Sequence, residues 1–485
     1  MPGMTRILLL AALLGSQLGC ESLKAKARAV LSKESASPPT ASSEPQQAKT
    51  AATKDSATIA VSAEPEKPEI SLPANLNVLL LTIDSMRADM PWNGYPRPIA
   101  PNLTRLAEQS VVYTHAYSLC SATTMALGGM MASRYPLQVP RDGKATSGFP
   151  PEAHFLAEVL QAGNVRTLGV HGHVFFYGAN GIDQGFDEWR FIKYVTARTS
   201  REGAITDDRL ATLLVKTMDA HVAKEPSQPF FAWTHFMDPH FRYNRHPGIE
   251  PYVGSPYKGA KGQEDKPMVS PGVPLSDVGQ QLRNGYDGEV TFTDKHVGRV
   301  LDHVRQQPWG KRTAIIVSAD HGEAFGEQKS YFEHGFLLYE VTVRVPLIIY
   351  IPGVPPRRID TRRSTVDLAP TILQLFGLKS PESFVGTSLV PEVLGEKVPE
   401  RRVVLDYPYT DQNQRRRAII DSSVKIIASE NELEPKLFDL SKDPGEQNDL
   451  AAKDSKLLSE MKAKLEETET KFPDFPAPRL KGRHY

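Results

Sequence analysis

Carboxylates and imidazoles stand at the ends of apolar runs in this chain. Residues 78–83 (Val-Leu-Leu-Leu-Thr-Ile) run into Asp84. Residues 229–234 run into His235, Asp238 and His240, and residues 313–319 run into Asp320-His321-Gly322-Glu323. Groups of these types do acid–base or metal chemistry. One apolar strand followed by Asp is ordinarily a turn or cap. Three such runs, each delivering chemistry at the same end, point to a site.

The elements that would position them follow from the pattern. Runs apolar on both faces imply strands covered on both sides, hence a mostly parallel sheet; residues 345–350 are a fourth such run. Ligands in such sheets bind beyond the carboxyl ends of the strands. Helical spacing lies between the runs: Leu103, Leu106 and Ala107 after Pro101; Val297, Val300, Leu301 and Val304 after the Tyr286–Glu289 stretch; Val366 to Phe376 around Pro370. Beyond about residue 400 the texture changes. Residues 418–420, 424–427 and 436–439 read as short antiparallel strands, and Leu457, Leu458, Met461 and Leu465 as an amphipathic helix. The expected fold is α/β: a large, mostly parallel sheet sandwiched by helices, over 73–395, then a small antiparallel α+β subdomain over 396–472 and a tail over 473–485.

Composition narrows the function. The chain has 485 residues, with 57 Lys+Arg against 57 Asp+Glu, and 24% of it is charged. Zero net charge argues against a nucleic-acid binder and against polybasic adhesion to membranes. Two cysteines exclude a disulfide framework. Arg6 precedes an apolar run over 7–14, too short to span a bilayer but suited to a secretory signal. It ends in Leu18-Gly19-Cys20, which resembles a bacterial lipoprotein signal, though Gln17 stands where such signals carry Leu. Residues 21–72, rich in Ala, Ser, Pro, Glu and Lys, read as a disordered tether. The expectation is export across the inner membrane and retention in the bacterial envelope by a lipid on Cys20, the anchor being the sole membrane contact. Oligomeric state is not encoded in any pattern.

Five blocks, in order, resemble the sulfatase family of the alkaline phosphatase superfamily: Ile83-Asp84-Ser85-Met86-Arg87-Ala88-Asp89 with Ala100-Pro101-Asn102-Leu103; Asp238-Pro239-His240 with Tyr243; Asp320-His321-Gly322-Glu323; Glu333-His334-Gly335 with Val345-Pro346-Leu347; and Leu437-Phe438-Asp439-Leu440 with Asp443-Pro444-Gly445-Glu446. The chain departs from the family at the nucleophile. Sulfatases carry Cys-x-Pro/Ala-Ser-Arg, whose Cys becomes formylglycine. Here Cys120-Ser121-Ala122-Thr123-Thr124 lacks the Arg. The family's nucleophile stands thirteen residues before the Pro of a Tyr-Pro pair, and counting back from Pro136 reaches Thr123. That stretch is similar to threonine-nucleophile relatives, the lipoteichoic-acid synthases and phosphoethanolamine transferases.

The resemblance implies a metal shell of Asp84, Thr123, Asp320 and His321, with Ser85 in place of a second family Asp. Two carboxylates and an imidazole suit manganese or zinc, with calcium also compatible, and one ion rather than three. It further implies that Thr123 is the nucleophile, at the start of a helix whose N–H groups favour an anionic ester. His240 and His334 would hold the substrate oxyanion or protonate the leaving group. The substrate would be a sulfated or phosphorylated small molecule, glycan or lipid headgroup, its leaving group read by loops around 140–200 and 241–285. Alternatives are a phospho-headgroup transferase acting on lipid or glycan, and a non-catalytic surface-binding relative. Arg87 and Asp89 read as a structural pair, His171 and His173 as cleft residues, His235 as equally a cleft or a core residue, and Arg415-Arg416-Arg417 as a solvated turn.

Overall fold

The computed structural model describes residues 72–476, apart from 145, 147, 177–179, 193–205, 245, 247, 250–272, 329–330, 411–412 and 431–433. The expected signal with Cys20, nearly all of the tether and the end of the tail lie outside the described residues.

Strands β1 (Asn77–Ile83), β2 (Val111–Tyr117), β3 (Arg166–His171), β4 (Glu188–Phe191), β5 (Phe230–Phe236) and β6 (Thr313–Ala319) are followed by a two-residue pair, β7 (Ala324–Phe325) and β8 (Phe332–Glu333). Then come β9 (Arg344–Tyr350), β10 (Arg357–Ile359) and β11 (Arg363–Ser364). All but β7 and β8 form one sheet, in the order β10-β2-β9-β6-β1-β5-β3-β4, with β11 also on β2. The central strands β6, β1, β5 and β3 are mutually parallel. Their carboxyl ends therefore open on one edge, as the apolar runs predict. The fourth run, β9, lies antiparallel to both β6 and β2. A continuous apolar strand records burial on two faces, not direction, so the sequence pattern leaves this unspecified.

Helices cover both faces. On one, α2 (Thr123–Ala132), α3 (Leu156–Ala162) and α7 (Leu368–Leu375) pack Leu127, Leu160 and Ile372 with Leu80, Trp233 and Ile316 of the sheet. On the other, α1 (Pro101–Ala107), α4 (Asp207–Lys224) and α5 (Asp277–Gln306) pack Leu103, Leu214 and Val300 against Leu79, Leu81 and Val317. Short helices α6 (Glu340–Val343) and α8 (Val390–Val393) join later elements. Helix α5 begins well before the apolar face that betrays it, with the Ser276 hydroxyl capping Gly279 N–H. The Tyr286–Glu289 stretch lies inside it, its buried Asp287 paired with Arg97 at 2.6 Å and Arg283 at 2.9 Å. None of the described helices is long and apolar enough to cross a membrane.

The C-terminal sheet is β12 (Val403–Tyr407), β13 (Arg416–Asp421), β14 (Val424–Ser429) and β15 (Lys436–Asp439), antiparallel throughout and backed by α9 (Ser455–Lys471). It joins the large domain through a shared apolar cluster containing Leu119, Tyr135 and Val366. The Arg415–Arg417 stretch is not a solvated turn. Arg416 and Arg417 lie in β13, and Arg417 is buried with its guanidinium Nε and Nη2 on Asp406, at 2.7 and 3.0 Å.

Candidate active site

Asp84 is the first residue beyond β1, and its N–H donates to Phe236 O of β5. Ser85 follows with φ 57°, a left-handed conformation that turns its N–H onto Asp320 Oδ1 at 3.1 Å, while its hydroxyl donates to Asp84 Oδ1 at 2.9 Å. Asp320 and His321 stand just beyond β6. Adjacent parallel strands thus bring two distant carboxylates together. His235, in β5 and in register with Thr82 of β1, completes a trio. One atom each of Asp84, His235 and Asp320 lie within 4.8 Å of one another, all buried. His235 Nε2 is 3.3 Å from Asp84 Oδ2 and 3.9 Å from Asp320 Oδ2.

His321 closes the group. Its Nε2 is 3.2 Å from Asp320 Oδ2, 3.2 Å from Thr123 Oγ1 and 3.9 Å from Asp84 Oδ1. Its Nδ1 donates to Gly322 O at 2.9 Å, which places the proton on Nδ1 and the Nε2 lone pair toward the carboxylates. Burial holds this imidazole well below its ordinary pKa, so it is neutral. Asp320 Oδ2 is buried without a hydrogen-bond partner. Burial, then the charge of Asp84, pushes the Asp320 carboxyl up to about 7. Burial also acts against the charge on Asp84, but His240 and the hydrogen bond from His235 hold that carboxyl well below its usual range. Lone pairs converging on one buried point are costly unless a cation lies between them, so the donor set fits a divalent ion.

Thr123 opens α2. Its side chain does not serve as a cap: the N-cap is Ala122, with no side-chain cap bond. All ten residues of α2 are buried, so the hydroxyl sits at a helix start set deep in the protein. Gly128 lets α2 press onto Phe149, whose ring would stand 2.3 Å from an added Cβ. Cys120 instead lies in an apolar cluster with Tyr117, Met125 and Leu338, its thiol pushed up by burial.

His334 stacks on His321 with ring centres 4.2 Å apart, and His240 meets His334 edge-on at 4.7 Å. The structure therefore gathers every residue singled out from the sequence for metal or catalysis: Asp84, Thr123, His240, Asp320, His321 and His334. His173 joins them, with Nε2 3.9 Å from Asp84 Oδ2. His171 does not; it is stacked against Trp189 in the core behind, at 4.1 Å. Arg87 and Asp89 pair at 2.8 Å, and Arg87 also holds Glu327 at 2.9 Å, bracing the loop after β1. Sequence reasoning does not find His235 as a ligand: it reads equally as a cleft or a core residue. Its alternation with Trp233, in step with Thr82 and Asp84, was the available signal.

Carboxylates and imidazoles meeting at the ends of parallel strands fit the ester-hydrolase centre of the alkaline phosphatase superfamily. The chain belongs to the sulfatase family, whose model matches residues 76–378. A second model, the C-terminal part of N-sulphoglucosamine sulphohydrolase, matches 326–471. Among relatives, the chain is 24% identical to the ulvan-active sulfatase of Formosa agariphila, over 87% of this chain and 84% of that protein. It is 25% identical to the choline-sulfatase of Rhizobium meliloti, over 77% and 82%. The fold is shared with the phosphonate monoester hydrolase of Agrobacterium radiobacter: TM-score 0.66, 20% identity, 82% of this chain and 96% of that one. The protein is a sulfatase-type ester hydrolase.

Proposed function

We propose that this protein is a metal-dependent hydrolase of sulfate or phosphate esters that uses Thr123, not formylglycine, as its nucleophile, as in the threonine-nucleophile relatives. The observation that carries this is the Thr123 hydroxyl 3.2 Å from His321 Nε2 at the head of α2, while Cys120 is enclosed in apolar side chains. Asp84, Asp320 and His321 would hold one divalent ion together with His235. Two imidazoles beside two carboxylates favour manganese or zinc over calcium. When bound, such an ion neutralises charge on the ester and activates an oxygen nucleophile.

The chain's own groups do the rest. Free N–H groups in the first turn of α2 bind the ester oxygens. Thr123 Oγ1, as its alkoxide, bonds to sulfur or phosphorus as the bond to the alcohol oxygen breaks. His240 and His334 hold the departing oxygen and supply its proton. Water then displaces Thr123, with the proton transfer reversed. The ligand class is a sulfated or phosphorylated small molecule, glycan or lipid headgroup, in keeping with the ulvan- and choline-sulfatase relatives. The expected place of action is the bacterial envelope, by export and a lipid on Cys20. Substitution of Cys20 by Ser should then release the protein from the membrane fraction.

The test is turnover of aryl sulfate, aryl phosphate and aryl phosphodiester by residues 73–485, with metal content measured alongside. Hydrolysis of one of these esters, lost in Thr123→Ala, is the expected result. Formylglycine at residue 120, or turnover surviving in Thr123→Ala, overturns the nucleophile.

A further inference from the structure

Three imidazoles of the centre differ in what holds Nδ1. In His321 it is the carbonyl of Gly322, and in His240 the carbonyl of Phe241. In His334 it is a carboxylate: Glu323 Oε1, at 3.0 Å. Glu323 is fully buried. Its other oxygen accepts the Tyr243 hydroxyl at 3.2 Å, and its backbone carbonyl takes a hydrogen bond from Arg87. A small hairpin makes the meeting. Strands β7 and β8 pair Ala324 with Glu333, so the next residues outward, Glu323 and His334, face each other. Glu333 and Gly335, at φ 67° and 84°, turn the chain sharply on either side of His334. So much local constraint around one imidazole is a mark of function rather than of packing.

We propose that Glu323 is the positioning residue for His334, fixing Nδ1–H away from the substrate and Nε2 toward the leaving oxygen, with Tyr243 locking the carboxylate. This assigns leaving-group protonation to His334 and oxyanion binding to His240; it rests on the hydrolase reading above. As Thr123 Oγ1, entering as the alkoxide, bonds to sulfur or phosphorus, the electron pair of the broken bond goes to the alcohol oxygen, which takes the proton from His334 Nε2. The ring keeps its Nδ1 proton on Glu323. Without the carboxylate, rotation about the Cβ–Cγ bond exchanges the two edges of the ring. The requirement grows with the basicity of the leaving oxygen, since a nitrophenolate departs without a proton and an alkoxide does not.

The experiment compares nitrophenyl and ethyl esters of the same acid with wild type, Glu323→Ala, Glu323→Gln and Tyr243→Phe. Glu323→Ala should lower kcat on the ethyl ester about ten- to a hundredfold, with a clearly smaller loss on the nitrophenyl ester and KM little moved on either. Glu323→Gln, which still accepts from Nδ1–H, should recover part of the ethyl-ester loss, and Tyr243→Phe should show the same split more weakly. Equal losses on both esters, or none on the ethyl ester, overturn the assignment while leaving the hydrolase reading intact. A wild type that hydrolyses neither ester overturns both. Should Glu323→Ala fail to fold, the other two variants carry the same comparison.

Discussion

In the C-terminal sheet Arg417 sets its Nε and Nη2 on the two oxygens of Asp406, and Lys425 reaches Glu340 at 3.0 Å and Glu446 at 2.8 Å. At the ends of β1 and β6, Asp84 and Asp320 are just as buried, yet they face His321, held neutral by burial, and His235, drawn upward against burial by Asp84, and one Asp320 oxygen has no hydrogen-bond partner. Both regions remove charge from water. In the first, each buried cation has its anion built into the chain. In the second, two carboxylates converge on one buried point, where a divalent ion would balance them. A buried carboxylate is a structural tie or half of a binding site according to what stands opposite it.

Removing chemistry from the second region should have the largest effect. Thr123→Ala deletes one hydroxyl at the head of α2 and should abolish turnover with the melting temperature nearly unchanged. Cys120→Ser, in the apolar cluster beside it, should keep turnover at a modest cost in stability. A steady-state assay and a thermal melt of both variants check this pair. The reverse pattern would transfer the nucleophile to Cys120 and erase the distinction drawn around Thr123.

The carboxylates themselves give the next contrast. Asp406→Asn leaves buried Arg417 with only the half-exposed Asp474, 3.5 Å away, as a charged partner and should cost about 3 kcal/mol. Asp320→Asn, in protein stripped with chelator, relieves the repulsion with Asp84 and should leave the melting temperature unchanged or raised. Wild type should gain about 2.7 kcal/mol from manganese or zinc at a hundred times its dissociation constant. Asp320→Asn should lose that gain. Melts with and without added ion measure all of these shifts. A large loss for metal-free Asp320→Asn would make the centre another structural tie.

How much of this was legible in the residues depends on which force is local. The strands that carry the centre announce themselves because burial on both faces leaves continuous apolar runs. The site follows because three of those runs end in chemistry. Strand β9 kept its direction hidden, since apolar content is the same either way along a chain. His235 was ambiguous because an imidazole within an apolar run looks like core until the register with β1 sets it opposite Thr82, within reach of Asp84. Arg417 misled for the opposite reason: three consecutive arginines read as solvated, and the partner that buries one of them, Asp406, lies on another strand. Strand β12 escaped notice in the same way. Long-range pairing decides these cases, and a single sequence does not display it.

The smallest expected effect concerns Lys425, where the first region has one cation for two carboxylates. Burial, with the like charge of Glu340 and against the pull of Lys425, raises the Glu446 carboxyl from 4.5 to about 7. The folded protein therefore holds this proton more tightly than the unfolded chain does. The associated stability is fully present below 4.5 and is lost as pH rises through about 7. Denaturant melts across that window should show Glu446→Gln, neutral at every pH, with a flatter profile than wild type. If instead the variant loses the same stability at pH 5 and pH 8, Glu446 is ionised throughout. Lys425 then satisfies both of its carboxylates, and pairing in the C-terminal sheet is as complete at Lys425 as it is at Arg417.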